Sequence, residues 1–264
     1  MNEENTGDVI LRSEGSRVRV LTLNRPASRN ALDGSLHAAM LSAVRHVAAE
    51  PEVRAVIITG AGDAFSAGGD FGLIEKMQEE PDLRKAVLNR SRSLFWSMVA
   101  LEVPVIAAVN GPAVGAGATL ALLCDIVLMA DSAYLAEPRV SIGLVPGDGG
   151  AIVWPLLAGV PAARAYLLTG DRMPAAEAYR LGLIHRVVEP DAVLAEAMTM
   201  ADRLAGLSPH SVRSTKRAIN SRVESAALAG FEFALEAESQ SFDTPELRAT
   251  VHEYSHRPAD KRDD

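Results

Sequence analysis

Apolar positions along the first sixty residues change period twice. Residues 9–12 and 18–24 are short apolar runs around Glu14-Gly15-Ser16, which predicts a β-hairpin. From Asp33 to about Glu50 the pattern becomes helical, with Leu36, Met40, Leu41, Val44 and Val47 on one side, Asp33 as the cap and Pro51 as the stop. A buried strand is predicted over 53–59, a helix over about 81–101 and a second buried strand over 105–109. A helix over 115–123 and a strand over 126–129 follow. Beyond Gly149 helix signals dominate, at 151–157, 162–168, 175–181, 191–204, 209–220 and 224–241, with one short strand expected at 183–188. The charged tail 257–264 is expected to fray.

Residues 103–124 carry no charge for 22 positions, long enough to pass for a membrane span. Asn110-Gly111-Pro112 in the middle is a turn signal, and Ala113, Gly115, Ala116, Gly117 and Ala118 make the second half small rather than greasy. A strand, a tight turn and a buried helix are expected instead, and no membrane association.

Composition narrows the class of protein. The 264 residues are 48% hydrophobic and 23% charged, which is a folded chain able to bury a large core as one principal domain. The formal charge of −8 gives no general attraction to polyphosphate, so nucleic-acid binding is not expected. Cys124 is the only cysteine and has no intrachain partner, and the acidic start MNEENTGDV lacks the basic and apolar regions of a secretory signal. A cytoplasmic location is expected.

Two small-residue turns precede helices, at 65–70 and 110–117. A helix N-terminus presents unpaired N–H groups, so Gly69 and Ala116 are candidate donors of an oxyanion hole; close packing of helix on strand explains the same spacing. The glycines at 111, 115 and 117 lack the order G-x-G-x-x-G, and no P-loop lysine or G-x-S-x-G elbow is present. The six histidines form no metal-binding pattern, and no metal is expected.

Several motifs in order resemble the crotonase, or enoyl-CoA hydratase/isomerase, superfamily over residues 9–255. They are Asn24-Arg25-Pro26 with Asn30-Ala31-Leu32, Phe65-Ser66-Ala67-Gly68-Gly69-Asp70, Asn110-Gly111 through Cys124-Asp125-Ile126, Ile142-Gly143-Leu144-Val145-Pro146, and Leu168-Thr169-Gly170 with Ala175-Ala176-Glu177-Ala178. The resemblance implies an α/β fold, a crotonase-like spiral of β-β-α units over 1–190, and a helical C-terminal trimerisation region over 191–264. It also implies a homotrimer or dimer of trimers, an acyl-CoA thioester as substrate, and no cofactor beyond the coenzyme A that the substrate carries. Gly69 and Ala116 become the oxyanion-hole pair. Ala67, Gly68, Asp70, Gly115, Thr119 and Arg139 border the thioester, Arg25 and Arg29 lie near the CoA phosphates, and Lys216 and Arg217 are further phosphate candidates. Phe95, Trp96 and Trp154 are candidates for the acyl wall.

The two glutamates that hydratases of this family use fall at Thr119 and Arg139. A threonine hydroxyl is too weak a base, and a guanidinium stays charged. Asp148, in Pro146-Gly147-Asp148-Gly149-Gly150, is the first alternative acid or base, its other reading being a helix cap. In β-diketone hydrolases of the superfamily an Asp here partners a His nine residues earlier, where this chain has Arg139. An Arg139–Asp148 ion pair would lower the Asp pKa, make it a weaker base and argue for binding rather than proton transfer. Glu137 is a second nearby carboxylate, while Asp70 reads as structural, fixing its turn, and Asp125 as a buried hydrogen-bonding residue. The expected function is enolate chemistry on an acyl-CoA by a hydratase/isomerase-like enzyme. C–C bond hydrolysis and a catalytically silent acyl-CoA-binding protein are the alternatives.

Overall fold

A computed structural model describes residues 3–5 and 7–255. The chain opens with β1 (Glu3–Asn5), β2 (Val9–Glu14) and β3 (Val18–Leu23), an antiparallel meander containing the expected hairpin. Next come α1 (Gly34–Ala49), β4 (Ala55–Gly60), α2 (Phe71–Glu79), α3 (Pro81–Ala100) and β5 (Val105–Val109). The Asp33 carboxylate caps α1 as expected, accepting from the Ser35 and Leu36 amides at 3.0 and 2.9 Å. Helix α2 is additional to the sequence reading.

The charge-free stretch resolves into β5, a turn, the two-residue β6 (Ala113–Val114) and α4 (Ala116–Leu122), so the membrane-like run is core. It continues through β7 (Ile126–Ala130), β8 (Tyr134–Ala136), α5 (Gly150–Thr169), β9 (Met173–Pro174), α6 (Ala175–Arg180) and β10 (Arg186–Val188). Strands β3, β4, β5, β7 and β10 pair in parallel, extending the meander to a seven-stranded sheet, and β6, β8 and β9 form a small second sheet. All five residues of β5 are buried, the uninterrupted apolar run of a strand covered on both faces.

The rest is helical: α7 (Val193–Ala205), α8 (Pro209–Ser241) and α9 (Pro245–Ser255). The sequence reading splits α8 near residues 220–224; the structure has one 33-residue helix, because nothing in Asn220-Ser221-Arg222-Val223 removes a backbone donor. The expected frayed tail, 257–264, lies outside the described residues. Among those residues α5 is the helix long and apolar enough to cross a membrane, but Gly159 (φ 78°, ψ 156°) breaks it between Pro155 and Pro161 into two segments, each shorter than a span.

Candidate active site

The Asn-Arg-Pro and Asn-Gly motifs turn out to be scaffolding. Buried Asn30 accepts from the Arg25 amide at 2.8 Å and donates from Nδ2 to the carbonyls of Ala61 and Ala64, both at 2.9 Å. Asn110 accepts from the Gly60 amide at 3.1 Å and donates to the Gly62 carbonyl at 3.0 Å. The loop 60–64 is thereby held from both sides. Beyond it, Ser66 donates its hydroxyl to the Asn30 carbonyl at 2.8 Å, the Leu32 amide donates to the Gly68 carbonyl, and the Val114 amide donates to the Ser66 carbonyl. These bonds lay the 65–69 strand fragment alongside β6. Only glycine fits at 68: φ is +91°, and a Cβ would stand 2.7 Å from the Val114 carbonyl oxygen.

Gly69 and Ala116 consequently line one cavity of about 160 Å³, together with Ala67, Gly68, Asp70, Gly115, Arg139 and Asp148. Ala116 is the first residue of α4, where a helix leaves its N–H groups unpaired, and the Gly69 N–H has no acceptor among the described residues. Asp70 caps α2, accepting from the Leu73 amide at 2.8 Å, so its structural reading holds. The apolar wall comes from Leu73, Ile74 and Met77 of α2, Val87 and Leu88 of α3, and Leu144. Trp154 is instead fully buried core, and Phe95 packs against Phe231 with ring centroids 4.4 Å apart. None of Phe95, Trp96 and Trp154 lines this cavity.

Arg139 stands at the centre of a carboxylate cluster. Its Nε and Nη2 form a bidentate pair with fully buried Glu137 at 2.7 and 2.6 Å, Nη2 also reaches Asp148 Oδ1 at 2.6 Å, and Nη1 lies 3.5 Å from Glu238 Oε1. Thr119 donates to the same Asp148 oxygen at 3.2 Å and borders a small recess shared by His37, Ser91, Phe95, Ala116 and Asp148. The expected Arg139–Asp148 pair is therefore present. The helix-cap reading of Asp148 is corrected: Gly149 holds the cap position of α5, and Asp148 Oδ1 is 3.5 Å from the Gly150 amide. Asp148 Oδ2 has no hydrogen-bond partner among the described residues.

The enoyl-CoA hydratase/isomerase family model matches residues 13–262. The chain belongs to that family. It is 43% identical to an enoyl-CoA hydratase/isomerase from Mycobacterium paratuberculosis whose crystal structure superposes with a TM-score of 0.89, covering 93% of this chain and 98% of that one. It is 33% identical to a monofunctional enoyl CoA isomerase from M. smegmatis, with a TM-score of 0.71 and coverages of 86% and 99%. A short-chain-enoyl-CoA hydratase of Clostridium acetobutylicum is 35% identical over 242 residues, 91% of this chain and 92% of its own. The fold and the acyl-CoA-transforming class of this hydratase/isomerase family member are thus those that its motifs implied.

Not every predicted contact is at the cavity of this family member. Arg25 pairs with Asp33 and Asp8, and Arg29 with Asp63; neither lines the cavity. Lys216 is buried and donates to Asp125 Oδ2 at 2.6 Å and to the Val103 carbonyl at 2.9 Å, so it is a structural cation rather than a phosphate ligand. Arg217 pairs with Glu102. Asp125 hydrogen-bonds as expected, also accepting from the Val105 amide, but lies at the surface rather than in the core. Among the described residues no group of three His, Cys, Asp or Glu is arranged to hold a metal.

The sequence reading passes over Ser91 and Glu238 and takes His37, like the other histidines, as solvated or structural; all three also line the cavity. Each polar residue sits among apolar neighbours at helical spacing, and for Glu238 the signal is plain: Phe231, Ala234, Leu235, Glu238 and Ser241 form the buried stripe of α8. Burial pushes the Glu238 carboxyl up to about 8, Arg139 opposing and Asp148 and Glu137 reinforcing the shift. Burial raises Glu137 as well, against the pull of Arg139. His37, buried beside Arg90 and with Ser91 Oγ 3.5 Å from its Nε2, is lowered to about 4.

These two shifts set a stability profile. Between pH 6.5 and 8 the unfolded chain has released the Glu238 proton that the folded chain keeps, so stability falls as pH rises, by about 2 kcal/mol across that window. Between 4.5 and 6.5 the unfolded chain holds one extra proton on His37 and one fewer on Glu238, and the two slopes cancel. Urea unfolding at pH 6.5 and 8 measures the difference, and Glu238→Gln is expected to flatten it.

Proposed function

We propose that this protein is an enoyl-CoA isomerase-type enzyme: Asp148 moves a proton at the carbon next to a thioester carbonyl, and the Gly69 and Ala116 N–H groups hold the resulting enolate oxygen. The observation that carries the reading is the state of Asp148, whose Oδ1 is fixed by Arg139 and Thr119 while Oδ2, without a partner, belongs to a side chain that lines the cavity with both N–H donors. A base held by one oxygen and open at the other suits proton abstraction from a substrate carbon. Thr119 and Arg139, standing where the family's hydratases carry glutamates, orient this carboxylate and do not act on water. The likeness to the monofunctional isomerase agrees with that division.

Coenzyme A enters as part of the substrate, and no separate cofactor is proposed. Arg25 and Arg29 remain the proposed phosphate contacts, exchanging carboxylate partners for phosphate. The exposed apolar residues Leu156, Leu157 and Val160 of α5 and Ile219, Leu228 and Phe233 of α8 support assembly as a homotrimer or dimer of trimers.

The test is incubation with saturated, 2-enoyl, 3-enoyl and 3-oxo thioesters in deuterated water, followed by mass spectrometry. Isomerisation of the 3-enoyl thioester with solvent exchange is expected, falling roughly 100- to 1,000-fold in Ala116→Pro, which deletes one donor at a position where helices accept proline. Gain of one water would assign hydration, cleavage of the 3-oxo thioester would assign the C–C hydrolase, and tight binding without exchange would leave a silent acyl-CoA-binding protein.

A further inference from the structure

Besides Asp148 and the helix-capping Asp70, the cavity is lined by Glu238, which the chemistry above leaves idle and whose surroundings do not resemble those of a structural carboxylate. Structural carboxylates satisfy both oxygens; the Glu238 side chain is 10% exposed, its Oε1 is 3.5 Å from Arg139 Nη1, and its Oε2 is buried without a partner among the described residues. A buried unpaired carboxyl oxygen is costly and calls for an explanation. The charge balance supplies half of it. One guanidinium faces three carboxyl groups, and the closest contacts go to Glu137 and Asp148, so Glu238 is left least compensated.

Its position is held from several sides. Phe231, two turns earlier on α8, stacks against Phe95 of α3, and Arg92 and Arg84 of α3 pair with Glu232 and Asp243 near the same end of the helix. The loop that carries Asp148 lies directly on this turn: a Cβ at Gly147 would meet the Ala234 carbonyl at 2.5 Å and Glu238 Oε2 at 2.7 Å. Asp148 and Glu238 thus come from loop and helix to one Arg139 and line one cavity.

We propose that Glu238 is a second proton-transfer residue, delivering to the γ-carbon the proton that completes the isomerisation begun by Asp148. The proposal rests on the isomerase reading. Asp148 Oδ2 takes a proton from the α-carbon of a 3-enoyl thioester, and the electron pair passes to the thioester oxygen between the Gly69 and Ala116 N–H groups. As the dienolate collapses, the double bond moves to the α,β position and the γ-carbon bonds the proton that leaves the Glu238 carboxyl group. Asp148 ends protonated and Glu238 ionised; solvent removes one proton and restores the other. Between substrates the neutral acid form suits Glu238, since a third negative charge beside Glu137 and Asp148 is disfavoured.

The source of the γ-proton decides the matter. With a straight-chain 3-enoyl-CoA in deuterated water, the wild-type product is expected to carry a solvent deuteron at the γ-carbon in nearly every molecule. Glu238→Gln is expected to lower kcat roughly 100-fold with KM within about twofold, general acid catalysis being worth at least that much, and Glu238→Asp to recover part of the loss. The residual product of Glu238→Gln retains protium at the γ-carbon, ferried from the α-carbon by Asp148. Protium carried from α to γ by the wild type, or a Glu238→Gln enzyme with unchanged kcat and labelling, overturns the role of Glu238 while leaving isomerisation intact. No turnover or exchange of any thioester by the wild type rejects the isomerase reading itself. Neither the wild-type labelling nor that outcome depends on a variant folding.

Discussion

Asp148→Asn is expected to lower kcat by about 10²- to 10⁴-fold, the range for losing a general acid–base group, while binding of a saturated acyl-CoA stays within about threefold. Asparagine keeps an acceptor oxygen for the Arg139 Nη2 and Thr119 Oγ1 contacts at 2.6 and 3.2 Å, so the loop should hold its place. What it removes is the capacity of Oδ2 to take a proton. The cavity walls and both N–H donors are untouched, which is why binding and turnover should separate. Parallel calorimetric titration and steady-state kinetics read the two quantities. A variant that keeps wild-type kcat would make Asp148 a structural partner of Arg139 and move the chemistry elsewhere.

Arg139→Met should cost about 3–5 kcal/mol of stability, the usual effect of removing one partner from a buried ionic cluster. The guanidinium touches Glu137, Asp148 and Glu238, whose side chains are 0%, 10% and 10% exposed. Without it three carboxyl groups share a space with no cation, and folding must hold them protonated or apart. The destabilisation should therefore shrink as pH falls towards the ordinary carboxylate range, where protonation replaces the missing charge. Urea unfolding at pH 5 and pH 8 measures that trend. A loss independent of pH would mean that packing rather than charge is what Arg139 contributes. Methionine matches the stem in length, so the comparison isolates the head group.

The local elements were legible because their signals are local. The run at 105–109 reads as a buried strand with no knowledge of its partners, and it is β5 residue for residue. Asp33 reads as a cap because a side-chain oxygen reaching two or three amides ahead requires only its own helix. Helix α2 escaped notice because a nine-residue segment with two buried residues carries too little periodicity. The motifs brought Gly69, Ala116, Asp148 and Arg139 into consideration together, and the Arg139–Asp148 pair followed from the His–Asp pair that β-diketone hydrolases of the superfamily carry at the same nine-residue spacing.

The burial of Glu238 shows in its helical stripe, but its partners were beyond reach for the opposite reason. Glu238 lies 99 residues from Arg139 and 90 from Asp148, and nothing along the chain says that the inner stripe of α8 ends against their loop. Lys216 was misassigned on the same ground, since only the packed structure brings Asp125 to it. The amino-acid order alone was enough for most of the strands and helices, for the family, and for naming Gly69 and Ala116 as candidate backbone donors, all of which follow from patterns a few residues long. Tertiary structure alone decided how many carboxyl groups share one guanidinium. Charge compensation in a buried site depends on distances through space, and those exist only after distant segments have packed.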